Sequence, residues 1–148
     1  MKRPTHGDAA LQRQRHVLLA EDDDDLRRLV AEALRAEGFF VVECRNGLDL
    51  VETLVSRLEA NEQPFELVVS DVRMPGVTGL SVLEAVSEWD ELRSLPVVLI
   101  TAFGDPHLHQ LARRFGAVSL LEKPFEMRAL MRIVRGAIDG CDHDPAFA

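Results

Sequence analysis

The chain has 148 residues, 47% of them apolar and 28% charged, and a formal net charge of −8 at pH 7. This length and composition predict one globular domain, and the longest apolar stretch, residues 96–102, is too short to cross a bilayer. Because no signal-peptide pattern opens the chain and the net charge is acidic, we expect a cytoplasmic protein that contacts neither a membrane nor nucleic acid directly.

Five short apolar runs, each followed by a helical pattern, organise the middle of the chain. Residues 1–15 are polar and lack an apolar period, so we expect a flexible N-terminal segment there. One domain is expected over residues 16–138, followed by a short C-terminal tail over residues 139–148. The apolar runs predict buried strands at residues 16–20, 39–44, 67–70, 97–100 and 118–121.

Each run is followed by residues with the period of an amphipathic helix. The first helix is predicted over residues 24–37 with Asp24 as its N-cap, and the last over residues 127–138. The fourth is predicted to begin at an N-cap, Asp105, with Pro106 in its first turn. The predicted apolar faces of the first three helices consist of Leu26, Leu29, Val30, Ala33 and Leu34; of Leu48, Val51, Leu54, Val55 and Leu58; and of Leu80, Leu83, Val86 and Trp89.

Five strands alternating with five helices predict an α/β fold in which a parallel sheet is covered on both faces. A flavodoxin-like, doubly wound, five-stranded parallel sheet with strand order 2-1-3-4-5 agrees with right-handed crossovers. The periodicity alone does not fix that order.

Polar side chains follow the predicted strands where the strands end. Glu21 and Asp22 follow the first strand, Asp71 the third, Thr101 the fourth and Lys123 the fifth. Because the carboxyl ends of parallel strands face one crevice, we expect these side chains to gather there. Three carboxylates this close repel one another unless a cation enters, and Mg²⁺ prefers oxygen ligands. The sequence therefore predicts a Mg²⁺ site beside an aspartate that can carry a phosphoryl group.

Other interpretations of the acidic run after the first strand explain only some of its residues. Helix capping accounts for Asp24 and for Asp25 in the first turn, and Asp23 is assigned to solvent. An EF-hand loop fails because Leu26 occupies the position that needs glycine. The adjacent pair at positions 27 and 28, both arginine, is assigned to a solvated helix face. The sequence contains neither of the glycine-rich motifs, GxGxxG or GxxxxGK[ST], that bind nucleotide phosphates.

The segments VLLAEDDDDLRRLV, VVSDVRMPGVTGL, VVLITAFGD and LLEKPF resemble, in order and spacing over about residues 16–138, the receiver domain of bacterial two-component response regulators. The resemblance implies that Asp71 is the phospho-acceptor, that Lys123 pairs with the phosphoryl group, and that the bond from Lys123 to Pro124 is cis. It also implies binding roles for two further sets of groups. The metal ligands would be Glu21, Asp22, Asp71 and the backbone carbonyl of Arg73, and the phosphate would be held by Thr101, the amide of Ala102 and Lys123.

The resemblance further implies that a histidine kinase or a phosphotransfer protein donates the phosphoryl group. The signal would pass to a downstream protein through the face formed by the fourth helix, fifth strand and fifth helix. The last helix carries more apolar residues than one buried stripe needs, which fits a partner or homodimer interface and a broad core contact equally well: Met127, Leu130, Met131, Ile133, Val134 and Ile138. Thr101 and residue 120 would act as the switch. Leu120 replaces the usual tyrosine or phenylalanine there, and Thr78 stands where aspartate is frequent.

Two other functions are kept as alternatives to a phosphorylated signalling switch. A phosphohydrolase of the haloacid dehalogenase type also uses an aspartate nucleophile and Mg²⁺, but its DxDx[TV] motif fails here at Leu26. An interaction module that is never phosphorylated would not need the intact acids or Lys123. We therefore expect a non-enzymatic protein whose only chemistry is its own phosphorylation and dephosphorylation.

Overall fold

The computed structural model describes residues 14–74 and 76–140. The expected flexible segment at residues 1–15 and the tail at 139–148 therefore lie almost entirely outside the described residues. The strands are β1 (His16–Ala20), β2 (Phe40–Cys44), β3 (Leu67–Asp71), β4 (Val97–Thr101) and β5 (Ser119–Glu122). The helices are α1 (Asp24–Ala36), α2 (Gly47–Glu59), α3 (Gly79–Glu88), α4 (Pro106–Arg114) and α5 (Met127–Asp139).

The five strands form one parallel sheet in the order β2-β1-β3-β4-β5. This confirms the predicted fold class and strand order. The central strand β3 and its neighbour β4 are buried along their whole length. Burial on both faces explains their nearly continuous apolar sequence, because a strand covered on both sides has no solvated face.

Successive residues of each strand contribute to two separate cores, one on each face of the sheet. Leu18, Val68 and Leu99 belong to the core under α2, α3 and α4. Leu19, Val69 and Val98 belong to the core under α1 and α5. The helices contribute Leu50, Leu54, Val82, Leu83, Val86 and Ala112 to the first core, and Val30, Ala31, Leu34, Leu130, Met131 and Val134 to the second.

The predicted apolar faces of α1, α2 and α3 were partly wrong. Leu29 and Leu48, which were assigned to the core, are 57% and 56% exposed, and Trp89 is 43% exposed. On α1 the buried positions are 27, 30, 31 and 34, so the buried face includes an arginine. Because the predicted face was defined by apolar residues alone, it did not include this arginine.

Capping side chains set the beginnings of four helices. Asp105 caps α4 by accepting a hydrogen bond from the amide of Leu108, and Pro106 follows it, as predicted. The N-cap of α1 is Asp23 rather than Asp24, because the Asp23 carboxylate accepts hydrogen bonds from the amides of Asp25 and Leu26. Asn46 and Thr78 cap α2 and α3. The chain therefore enters α1 one residue earlier than predicted, which leaves Glu21 and Asp22 as the residues between strand and cap.

Candidate functional site at the carboxyl edge of the sheet

The turn from β1 to α1 places two carboxylates at the edge of the sheet. The amide of Glu21 donates to the carbonyl of Cys44 in β2, at 3.1 Å, so the turn continues the pairing of the two strands. Oε2 of Glu21 accepts a hydrogen bond from the amide of Asp23, at 3.2 Å. These bonds hold the Glu21 side chain buried, whereas Asp22 beside it is exposed to solvent.

Asp71 is the last residue of β3, and its carboxylate is buried with donors on both oxygens. The amide of Arg73 donates to Oδ1 at 3.0 Å, and Nζ of Lys123 donates to Oδ2 at 2.9 Å. Gly79, the first residue of α3, packs against the Asp71 backbone so closely that a Cβ there would lie 2.3 Å from the Asp71 carbonyl oxygen. A glycine at this position lets the helix begin directly behind the aspartate.

Lys123 joins the two buried acids. Its Nζ lies 2.8 Å from Oε1 of Glu21 as well as 2.9 Å from Asp71. The lysine amide donates to the carbonyl of Thr101 at 2.7 Å, which ties the start of the loop after β5 to the end of β4. The bond between Lys123 and Pro124 is cis, as expected from the sequence.

One ammonium group does not fully compensate the acids around it. Burial, together with the neighbouring Asp71 carboxylate, raises the pKa of Glu21 to about 7, although Lys123 acts in the opposite direction. Burial lowers the pKa of Lys123, but Glu21 and Asp71 outweigh it, so the net pKa is raised. Lys123 therefore stays charged across the physiological range, and Glu21 is divided between its two forms near neutral pH.

The acids fit a divalent cation. Glu21, Asp22 and Asp71 each offer a carboxylate oxygen, and these three oxygens lie within 4.8 Å of one another. Oε1 of Glu21 is buried and accepts no well-formed hydrogen bond among the described residues, and its counter-charge is the Lys123 ammonium at 2.8 Å. A hard cation such as Mg²⁺ takes oxygen ligands of this kind. The donor set therefore suits the group that the sequence predicts.

Thr101 and Ala102 lie at the end of the neighbouring strand, and the Thr101 hydroxyl contacts its own loop. Oγ1 of Thr101 accepts a hydrogen bond from the amide of Phe103 at 3.2 Å. Thr101 is fully buried, and Ala102 is exposed above it. The second switch candidate, Leu120, is buried in the core under α2, α3 and α4. The structure thus brings the three acids and Lys123 together directly, with Thr101 one strand away.

The side chains of Arg73 and Phe103 flank the crevice. The guanidinium of Arg73 lies over the Phe103 ring, 5.2 Å from its centre, and the ring is 67% exposed. This contact joins the loop after β3 to the loop after β4 beside Asp71.

A family model for the response regulator receiver domain matches residues 17–135. The chain belongs to this family. Receiver domains bind Mg²⁺ in an acidic pocket, and the cluster of Glu21, Asp22 and Asp71 could hold it.

Relatives of this receiver chain include regulators of different lengths. It is 38% identical to the C4-dicarboxylate transport transcriptional regulatory protein DctD of Pseudomonas aeruginosa, over 85% of this chain and 26% of DctD. It is 38% identical to the transcriptional regulatory protein PdtaR of Mycobacterium tuberculosis, over 90% of this chain and 60% of PdtaR. The chain thus spans about a quarter and three fifths of these two. For the response regulator receiver protein CpdR of Brucella abortus, at 32% identity, the match covers 79% of this chain and 91% of CpdR.

Solved receiver structures share the fold. The chemotaxis protein CheY4 of Vibrio cholerae superposes with a TM-score of 0.72 and 26% identity, over 84% of this chain and 98% of CheY4. A receiver domain protein from Clostridium thermocellum gives 0.75 at 20% identity, over 85% and 95%, which supports the fold alone. Within residues 14–74 and 76–140, no helix of this receiver chain combines the length and apolarity needed to cross a bilayer.

Two features near the receiver site were missed or misread in the sequence. Arg27 was assigned to a solvated face, yet it is 6% exposed and contacts the turn that carries Glu21. Its spacing of three, four and seven residues from Val30, Ala31 and Leu34 could have revealed it, since these positions share one helix face. The close approach of Gly79 to Asp71 leaves no comparable signal, because it depends on where two distant backbone segments meet.

Proposed function

We propose that the protein is a phosphorylation-dependent signalling switch that accepts a phosphoryl group on Asp71. One observation carries this proposal. The Asp71 carboxylate is held by Lys123 and by the Arg73 amide, directly beside two further acids that suit a divalent cation. A carboxylate that served only to pair with a lysine would have no need of the other two acids, whose proximity is unfavourable without a cation.

In the proposed reaction an oxygen of the Asp71 carboxylate attacks the phosphorus of a phosphohistidine. The new O–P bond forms as the N–P bond breaks, and the histidine nitrogen leaves with the bonding electron pair. Lys123, already 2.9 Å from Asp71, pairs with an oxygen of the transferred group. The Thr101 hydroxyl and the Ala102 amide donate to its remaining oxygens. Positioning and charge stabilisation of this kind are what a loose phosphoryl transition state requires.

We assign the cation to Glu21, Asp22, Asp71 and the backbone carbonyl of Arg73. When bound, Mg²⁺ would screen the negative charge of the acids from that of the incoming phosphoryl group. The proximity of the three carboxylates supports this assignment, as does the burial of Oε1 of Glu21 beside an ammonium that it shares with Asp71.

Switching requires Thr101 to exchange partners. Its hydroxyl now accepts from the Phe103 amide, so a move toward Asp71 would release the loop after β4. Glu122 connects this loop to the proposed output face, because its carboxylate lies against Gly104, where a Cβ would be 2.1 Å away, and 3.2 Å from Nε2 of His109 on α4. Leu120 is buried and has no hydroxyl with which to form a hydrogen bond. We therefore propose that the contacts of Glu122 with Gly104 and His109 carry the signal to α4.

The partners follow from the same proposal. A histidine kinase or phosphotransfer protein would be the donor, and a downstream protein or a second copy would read the face formed by α4, β5 and α5. The apolar residues of α5 give no separate support for a dimer, since Met127, Ile133 and Ile138 pack against the core.

Shifting the protein from a mostly inactive to a mostly active conformation requires the phosphoryl group to interact with the active conformation about 5.5 kcal/mol more favourably than with the inactive one. A cytoplasmic location and the absence of direct nucleic-acid contact remain predictions.

Incubation with acetyl phosphate and Mg²⁺ tests the proposal. Intact-mass measurement should show one added phosphoryl group in the wild type and in Asp90→Asn, which alters an exposed aspartate on the loop after α3. Asp71→Asn should show none. Equal phosphorylation of Asp71→Asn would refute the assignment, and no phosphorylation of the wild type would favour the interaction module. Sustained hydrolysis of p-nitrophenyl phosphate would instead support the phosphohydrolase alternative.

Hydrogen exchange with and without beryllofluoride tests the output face. We expect amide exchange to change in the loop after β4, in α4 and in β5. No change in these segments, in a sample that has bound beryllofluoride, would remove the proposed output face while leaving phosphorylation at Asp71 intact.

A further inference from the structure

Arg27 is a charged side chain buried next to the acidic turn. It lies in the second turn of α1, on the face that packs against the sheet, and its side chain is 8% exposed. Burying a guanidinium is costly unless oxygen atoms replace the water it loses. Here three oxygens from three segments of the chain surround it.

The partners of Arg27 connect the helix to both neighbouring elements. Nη1 donates to the main-chain carbonyl of Glu21 at 3.0 Å. Nη2 pairs with Asp24 at 2.6 Å, and Nε with Glu43 of β2 at 3.3 Å. Burial lowers the pKa of Arg27, but Asp24 and Glu43 more than offset this, so the guanidinium stays charged.

The hydrogen bond from Arg27 holds the backbone of Glu21 at its carbonyl group. The Glu21 amide already donates to Cys44 in β2, so with Arg27 on the carbonyl both ends of the residue are held. The peptide between Glu21 and Asp22 carries the Glu21 carbonyl, and its orientation sets the direction in which both carboxylates leave the backbone. Loss of this bond would free the peptide to rotate.

We propose that Arg27 is a positioning residue for the cation site, which it serves by fixing the peptide between Glu21 and Asp22. This inference rests on the proposed function of the acids. Arg27 contacts Glu21 at its main-chain carbonyl and not at its carboxylate, so it acts on the cation ligands through the backbone. Partners that orient metal ligands from behind commonly contribute about 10–100-fold to metal affinity.

Arg35 provides a matched control on the same helix. Its Nη2 pairs with Glu43 at 3.1 Å and with the carbonyl of Val41 at 3.2 Å, so it too links α1 to β2. Among the contacts of the described residues, Arg35 makes none with the turn at Glu21. A role limited to holding the helix against the sheet would therefore be shared by Arg27 and Arg35, whereas the positioning role belongs to Arg27 alone.

The test compares Mg²⁺ affinity, measured by calorimetry, in the wild type, Arg27→Met, Arg27→Lys and Arg35→Met. We expect the dissociation constant to rise about 10-fold or more in Arg27→Met and to stay unchanged in Arg35→Met. Arg27→Lys keeps the charge but lacks the planar fork that reaches three oxygens, so it should fall between them. Restoration of full affinity by lysine would overturn the positioning role in favour of simple charge.

A second measurement needs no cation. In the metal-free protein, the amides of Asp22 and Asp23 should exchange faster with solvent in both Arg27 variants than in Arg35→Met. Should Arg27→Met fail to fold, Arg27→Lys alone decides by both readouts. Arg27 variants that bind Mg²⁺ as the wild type does, with unaltered exchange, would overturn the inference even if their melting temperature fell.

The two proposals fail in different ways. A wild-type protein that binds no Mg²⁺ would refute the cation site itself, and with it the inference on Arg27. A wild-type protein that binds Mg²⁺, together with an Arg27→Met variant that binds it equally well, would refute only the positioning role.

Discussion

The two edges of the sheet differ in how well their charged and polar groups are paired. At the carboxyl edge, Glu21 and Asp71 share the single ammonium of Lys123, and one buried oxygen of Glu21 lacks a hydrogen bond among the described residues. At the amino edge, Arg57 stacks over Phe65 at 3.8 Å and contacts Nδ1 of His16 at 2.6 Å.

The amino edge is a self-contained cluster. The guanidinium of Arg57 also donates to the carbonyl of Gln63 at 3.1 Å, and the His16 ring stacks on Phe40 with 4.4 Å between the ring centres. The guanidinium of Arg57 and the ring of His16 thus find partners within the protein. The carboxyl edge instead concentrates negative charge that the ammonium of Lys123 balances only in part. If the proposed function is correct, the amino edge contributes to stability, whereas the carboxyl edge sacrifices stability for the binding of a cation.

Lys123→Met should produce the largest effect, because it leaves two buried carboxylates without a counter-charge. We expect the metal-free protein to lose about 2 kcal/mol of stability at pH 8, with Mg²⁺ restoring part of it, and phosphorylation by acetyl phosphate to fall steeply. Urea unfolding with and without Mg²⁺ measures the first effect, and intact mass the second. Unchanged stability would mean that the acids at this edge do not depend on the lysine.

Glu21→Gln should have the opposite effect on stability. Removing one carboxylate relieves the repulsion at the carboxyl edge, so the metal-free variant should gain about 1–2 kcal/mol at pH 8 while binding Mg²⁺ less tightly. Glu66→Gln is the control at the amino edge, where the glutamate pairs with Arg15 near the surface at 3.5 Å and little change is expected. A Glu21→Gln variant that is less stable than the wild type would contradict this account.

The two edges should also respond to pH with opposite signs. The pKa of Glu21 is raised to about 7 from an ordinary value of 4.5, so the folded state binds the extra proton and this group's contribution to stability is lost as pH rises between these values. Burial, followed by the charge of Arg57, lowers the pKa of His16 below 6.5, so its contribution is lost as pH falls below 6.5.

Unfolding measured from pH 4.5 to pH 8 separates these contributions. Relative to the wild type, Glu21→Gln should remove a component that falls with pH, and His16→Gln a component that rises with it. Mg²⁺ should flatten the first component because the cation favours the charged carboxylate. Parallel profiles for all three proteins would contradict both assignments.

The smallest effect is expected from a substitution at the amino edge. Arg57→Met should lower stability by about 1 kcal/mol through loss of the stacking and hydrogen bonds, with Mg²⁺ affinity and phosphorylation unchanged. Calorimetric Mg²⁺ titration beside thermal unfolding checks this. A weaker Mg²⁺ affinity in Arg57→Met would show that the two edges are coupled.

The residues that end strands were predictable, and the residues that support them were not. An apolar run followed by an acid or a lysine marks a strand end regardless of tertiary detail, so Glu21, Asp71 and Lys123 could be placed at one edge from the sequence. The burial of Arg27, on helix α1, depends on its ion pair with Glu43, which lies 16 positions away on strand β2. Until that strand is placed, an arginine is best assigned to solvent.

The same limit explains the errors on the helices. Leu29 and Leu48 are apolar and fit a helical period, but their helices present other positions to the sheet. Local spacing determines that a helix has a face and leaves the rotation of that face to packing. The shift of the N-cap from Asp24 to Asp23 has a similar cause, because any of several adjacent aspartates can cap a helix.

Because Lys123 divides its charge between Glu21 and Asp71, occupants of the crevice are thermodynamically linked. A cation that satisfies Glu21 frees the ammonium to serve Asp71 alone. By reciprocity, an anion that engages the ammonium must change the affinity of the acids for the cation by the same factor. The sensitivity of the proposed switch to a phosphoryl donor would therefore vary with the concentration of free magnesium around it.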